Sequence, residues 1–198
     1  VEWVMVTAIP GLTGNVADLM LLMVQTMTRI SEVANLRWAE LDLKNGQWNL
    51  PEYRSKNGEP HLILLSRQSV ELLNARKTDQ EAKGINTTFV FPADAKGGAT
   101  TINSVQSAFR KLRRNAGLSE KFTPHSMRHY GLTWIGSQNQ GRDLRDRMSN
   151  HKSSNSADAV YMKASLNDQA KEWWQNYSDH LDALASENVV PLKFIAKN

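Results

Sequence analysis

The chain contains no cysteine among its 198 residues. That excludes a disulfide framework, thiolate metal sites and thiol catalysis, and it fits a reducing, cytoplasmic compartment. Long apolar runs are missing too. Leu19 to Val24 comes nearest, far short of the ~18–20 residues that cross a bilayer, and it reads as a buried helix segment. The N-terminus shows neither the charged start nor the small-residue cleavage site of a signal peptide. There are no internal repeats, no low-complexity tract, no linker that would force a second domain, and no Gly-x-x-x-x-Gly-Lys phosphate loop. What remains is 40% apolar with a mean hydropathy of -0.49, an ordinary globular composition. A chain of this length can bury roughly 70% of its unfolded surface and needs no staples.

The net charge is only +4, but it is unevenly spread. Residues 101–150 hold nine Lys and Arg against three Asp and Glu. Most of these cations are arginines: Arg110, Arg113, Arg114, Arg128, Arg142, Arg145 and Arg147. A guanidinium fork matches phosphate bidentately, so this block suits a polyanion as well as a solvated basic face.

Apolar residues recur at helical spacing in 14–36, with a short second turn at Ser31–Leu36. The pattern then changes to strands. Leu41-Asp42-Leu43, a Lys-Asn-Gly turn and Gln47-Trp48-Asn49-Leu50 read as a hairpin. Lys56-Asn57-Gly58 is a second turn, and His61 to Leu65 a third strand. Ser66 caps a helix running to about Lys83, with Val70, Leu72 and Leu73 on its buried side. Further helices are expected at about 101–115, 124–137, 141–149, 155–163 and 166–185. In the last, Leu166, Ala170, Trp173, Trp174, Tyr177, Leu181 and Leu184 form a core-packing stripe. The fold class is therefore mainly α with a small three-stranded antiparallel β-sheet.

Four polar clusters stand out. Thr123-Pro124-His125-Ser126-Met127-Arg128-His129 opens a helix, with His125 and Arg128 on one face of its first turn. They form either an oxyanion cradle or a local ion-pair arrangement. His125 and His129 have the spacing of helical zinc ligands. However, Ser126 stands where a metalloprotease needs Glu and no third ligand is evident, so no metal is expected. Arg29 with Glu32, directly after an apolar helix, is either a buried ion pair or an oriented guanidinium facing a ligand. Lys56 sits at a hairpin tip, where most lysines are simply solvated. Asn150-His151 is followed ten residues later by Tyr161, which in isolation reads as packing.

Together, Arg29, Lys56, His125-x-x-Arg128, His151 and Tyr161 resemble, in order and spacing, the tyrosine recombinase (phage integrase) family. Thr28 to Trp38 is similar to its first arginine box and Phe122 to His129 to its second. The aromatic-rich end, from Tyr161 to Leu181, resembles prophage and genomic-island integrases. Met127 and Asn150 stand where leucine and glycine are commoner. The resemblance implies a catalytic domain over 1–187, a tail at 188–198 that contacts a neighbouring protomer, and no preceding core-binding domain. It implies site-specific DNA recombination through a covalent 3′-phosphotyrosine.

In that scheme Tyr161 attacks the phosphorus, Arg29 and Arg128 clamp the phosphate, and His151 hydrogen-bonds it. Lys56 protonates the leaving oxygen, His125 assists proton transfer and Glu32 orients an arginine. Arg110, Arg113, Arg114, Arg142 and Arg145 are expected to contact DNA. No cofactor and no membrane is implied. The partners are duplex DNA at an attachment site and further copies of the chain, as a tetramer on DNA, with a monomer in isolation. The expected location is the bacterial cytoplasm, at the nucleoid when DNA is bound. Type IB topoisomerases use the same groups, and a non-catalytic helical DNA-binding module would share the charge pattern; both stay open at this level.

Overall fold

A computed structural model describes residues 14–93, 98–151 and 165–187. The element order is α1 (Asn15–Thr26), α2 (Ile30–Ala34), β1 (Leu41–Asp42), β2 (Gln47–Leu50), β3 (His61–Leu64), α3 (Arg67–Ala82), α4 (Ile102–Asn115), α5 (Pro124–Ser137), α6 (Arg142–Ser149) and α7 (Asn167–Glu187). Single 3₁₀ turns at Trp38–Glu40 and Glu52–Arg54 flank the first hairpin.

The apolar run Leu19–Val24 lies inside α1, where Leu19, Met20 and Leu22 are fully buried. α1 ends at Met27, whose positive φ of 54° reverses the chain so that Arg29 can begin α2. The sheet is antiparallel in the order β1-β2-β3, with Leu41 opposite Trp48 and Leu50 opposite His61. Trp48 is buried and its indole N–H donates to Glu40 at 3.0 Å. Burial pushes the Glu40 carboxyl above its usual range, against the Trp48 hydrogen bond and the charge of Arg54.

Helix α3 starts at Ser66 as expected, with the serine side chain accepting from the Ser69 amide. Its buried face differs from the expectation. Leu73 is buried, but Val70 and Leu72 are only partly so, and Gln68, Ser69, Arg76 and Gln80 take the interior positions. These polar groups are buried because each finds a partner. Arg76 donates to the Val90 carbonyl and pairs with Asp18 at 2.9 Å, and Gln80 donates to Val90 and accepts from Trp38.

The last helix packs as its stripe predicts. Ala170, Trp174, Tyr177 and Leu181 are buried, while Trp173 is only partly so. α5 lies against α1 at Gly131, where an added Cβ would come within 2.6 Å of Met27 Cγ and 3.0 Å of the Tyr177 ring. This close approach brings the second arginine box to the end of α1. The helix expected at 155–163 and the tail 188–198 fall outside the described residues.

Candidate active site

Arg29 has extended backbone and immediately precedes α2. Glu32, one turn on, holds it twice. One carboxylate oxygen accepts the Arg29 backbone N–H at 2.8 Å and the other pairs with its guanidinium at 2.9 Å. Glu32 is 3% exposed and Arg29 18% exposed, so the pair is largely withdrawn from water while the guanidinium keeps an open edge.

Arg128 enters from α5. Thr123 precedes the helix, Pro124 occupies its first turn, and the Thr123 amide donates to Ser126 Oγ at 3.1 Å. The Arg128 side chain is buried and donates to two main-chain carbonyls, Met27 at the end of α1 and Ser149 at the end of α6. Burial, and then the charge of Arg29, bring its pKa down to about 10, with Glu32 acting in the opposite sense. It stays cationic at neutral pH. Two arginines from boxes a hundred residues apart thus stand in one electrostatic neighbourhood.

His125 belongs to the same neighbourhood. Partial desolvation of its ring comes first, followed by the charges of Arg128, His129, Arg29 and Lys56; together these hold it below the usual histidine range. Lys56 arrives on the loop between β2 and β3, exposed to solvent. That loop is anchored by Arg54, which donates to the Glu32 carbonyl at 2.9 Å and to the Asn35 carbonyl, and pairs with Glu40 at 3.0 Å.

His151 follows the C-terminus of α6. Its backbone N–H donates to the Asp146 carbonyl at 3.1 Å and its ring meets the Asp146 carboxylate at 3.2 Å. A cleft of about 700 Å³ runs between α5 and α6, lined among others by His125, Arg128, Arg142, Arg145, Ser149 and His151. Arg110 and Arg113 line a smaller hollow of about 240 Å³ beside Thr123 and Pro124. Arg113 also donates to the Glu120 carbonyl at 2.6 Å, which braces the turn before α5. Arg114 is exposed on α4. Tyr161 lies outside the described residues.

Arg29, Lys56, His125 and Arg128 therefore share a field, and His125, Arg128 and His151 share a cleft. A site of concentrated positive charge with one buried carboxylate suits a multiply charged oxyanion. Sequence reasoning assigned no holding role to the groups that fix these residues in place: Arg54, Asn57, Asn150 and the carbonyls of Met27 and Ser149.

The mostly helical fold with its three-stranded sheet is that of the tyrosine recombinase catalytic domain. The XerA recombinase superposes with a TM-score of 0.62 at 19% identity, over 90% of this chain and 61% of that one. A lambda integrase dimer bound to a core site superposes with a TM-score of 0.59 at 18% identity, over 78% of this chain and 56% of that one. The chain belongs to the phage integrase family, whose sequence profile matches residues 13–168.

It is 26% identical over 165 residues to prophage integrase IntA of Escherichia coli K12, covering 83% of this chain and 38% of that protein. It is 35% identical over 101 residues to tyrosine recombinase XerC of Xanthomonas campestris pv. campestris, covering 51% of this chain and 30% of that protein. The chain thus spans little more than a third of the prophage integrase it matches. Among the described residues, no helix is long and apolar enough to cross a membrane.

Proposed function

We propose that this chain carries the catalytic centre of a site-specific DNA recombinase that cleaves and rejoins strands through a 3′-phosphotyrosine. The observation that carries this reading is that Arg128 docks on the Met27 carbonyl, two residues before Arg29, in a cleft it shares with His125 and His151. Family membership supports it.

The chemistry follows from the residue types. A phenol with an ordinary pKa of ~10 is a poor nucleophile until its proton is taken and the phosphate charge is offset. Tyr161 Oη forms the new bond to phosphorus, and its proton passes to a base at the His125 position. The P–O5′ bond breaks, its electron pair goes to O5′, and the Lys56 ammonium donates the proton that makes the leaving hydroxyl. Arg29, Arg128 and His151 bind the non-bridging oxygens, where charge builds up in the transition state. Glu32 fixes Arg29. The phosphotyrosine keeps the energy of the phosphodiester, so a second 5′-hydroxyl can reverse the step and join a new partner strand.

Arg110, Arg113, Arg114, Arg142 and Arg145 are the contacts proposed for flanking phosphates, which position the duplex without reading its sequence. The partner is duplex DNA at an attachment site, with four copies of the chain assembling on paired sites. Residues 188–198 serve as the contact between copies. The site of action is the cytoplasm, at the nucleoid.

The test is covalent capture on nicked duplexes, in which the short cleaved fragment diffuses away and the adduct is trapped. A DNA-linked peptide containing Tyr161, lost in Tyr161→Phe, is the expected result. An intact, DNA-binding chain that yields no adduct would make it a binding module instead. Supercoil relaxation without strand exchange would make it a topoisomerase.

A further inference from the structure

Asn150 terminates α6 with φ 49° and ψ 45°, the left-handed region that suits glycine or asparagine. Glycine would satisfy that backbone at no steric cost, so the side chain needs a separate reason. It is 4% exposed, and a buried amide is unfavourable unless it is hydrogen-bonded. Its Nδ2 donates to Ser55 Oγ at 3.0 Å and reaches the Glu59 carbonyl at 3.4 Å. Its main-chain carbonyl accepts from Asn57 Nδ2. Ser55 and Asn57 directly flank Lys56, and Glu59 lies three residues on in the same loop. The turn itself closes locally, with Gly58 at φ 67° and its N–H donating to the Ser55 carbonyl at 3.1 Å.

The neighbours of Asn150 face the cleft. Ser149 gives its carbonyl to Arg128, and His151 lines the same wall. One residue therefore ties the loop that carries an exposed lysine to the helix end that carries a histidine and an arginine anchor. An exposed lysine on a hairpin tip has four rotatable side-chain bonds and a mobile base. To deliver a proton to one oxygen, it needs its backbone held relative to the phosphate clamp.

We infer that Asn150 is a positioning residue, which sets the stance of the Lys56 ammonium through Ser55, Asn57 and Glu59. The inference rests on the reading of Lys56 as proton donor to the leaving oxygen. A well-placed general acid contributes about 10²–10⁴-fold, so a misplaced one forfeits part of that.

The experiment compares two leaving groups in the 198-residue chain. Nicked duplexes selected by covalent capture from a randomised pool are made with the ordinary 5′-oxygen, or with sulfur bridging at the scissile position. A thiolate leaves without needing a proton, since its conjugate acid is far stronger than an alcohol. Asn150→Gly keeps the left-handed backbone and removes the amide. Ser55→Ala removes the amide's partner and leaves α6 untouched, which guards against a folding defect in the first variant.

Both variants should form adduct about 10- to 100-fold more slowly on the oxygen substrate. On the sulfur substrate both should come within about 3-fold of the parent, as Lys56→Ala should. Equal losses on both substrates, with Lys56→Ala still rescued by sulfur, would overturn the role of Asn150 and leave the proposed function standing. Unchanged rates on oxygen would overturn it too. If the parent chain captures no duplex from the pool, the functional reading fails and this inference falls with it.

Discussion

The guanidinium of Arg128 donates to the main-chain carbonyl of Met27, two residues before Arg29. The main chain just before one arginine box is thereby an acceptor for the side chain of the other. A second donation, to Ser149, adds the end of α6 to the same fork. Each carbonyl is left without an intrahelical donor where its helix ends, so a buried guanidinium satisfies two helix termini at once.

Arg128→Lys should therefore fail even though it conserves charge. A lysine is a point donor and cannot span two carbonyls and a phosphate. By comparison with the loss of an oxyanion donor, adduct formation should drop by about 10²–10³. DNA affinity measured against salt should fall little, because a single phosphate contact changes the salt slope by about 1. A collapse of affinity would show that Arg128 acts mainly in binding.

Glu32→Gln tests the carboxylate that holds the other arginine. The amide oxygen can still accept the Arg29 backbone N–H, but the anion that offsets Arg29 and Arg128 is gone. A charge-assisted bond in a site this buried is worth about 1.5–3 kcal/mol, and chemical denaturation should register a loss of that order. Added inorganic phosphate should stabilise this variant more than the parent, since it supplies the missing negative charge. An equal gain in both would argue against a shared anion site.

Gly131→Ala sets two effects against each other. Helix propensity favours alanine by ~1 kcal/mol. The added Cβ, however, would stand 2.6 Å from Met27 Cγ and 2.7 Å from its sulfur, and overpacking of this kind costs about 1–3 kcal/mol. The clash should win, lowering the melting temperature. Because α5 must retreat from α1, adduct formation should fall as well. A more stable variant would mean that Met27 yields easily.

His125 provides the pH signature. Its folded pKa lies below the ordinary histidine value of 6.5, so in the interval between the two the unfolded chain binds more protons. Stability should then decline as pH falls from the ordinary value toward the lowered one, and this contribution should be level above it. An NMR titration should place the His125 midpoint below 6.5 and move it upward when phosphate occupies the arginines. A midpoint above the ordinary value in the phosphate-free protein would contradict the cationic neighbourhood.

Much of the molecule is legible in the sequence. The helix at 124–137 was marked at its start by Thr123 and Pro124, and the strands by the Asn-Gly turns between them, because local backbone preferences and capping act within a few residues. The arginine boxes and Lys56 stood out through their resemblance, in order and spacing, to the family's residues. The buried face of α3 could not, since Gln68, Arg76 and Gln80 find partners only when Asp179, Val90, Asp18 and Trp38 arrive from elsewhere in the chain.

The same division holds at the site. Sequence by itself determined which chemical groups are available and in what order they occur along the chain, because periodicity, caps and turn residues are local properties. Tertiary structure alone decided that Arg128 closes on Met27, that Arg54 ties the Lys56 loop to α2, and that Asn150 grips Ser55 across 95 positions. Those bonds join polar atoms whose partners are distant in sequence. Their worth comes from shared burial, which no local pattern records.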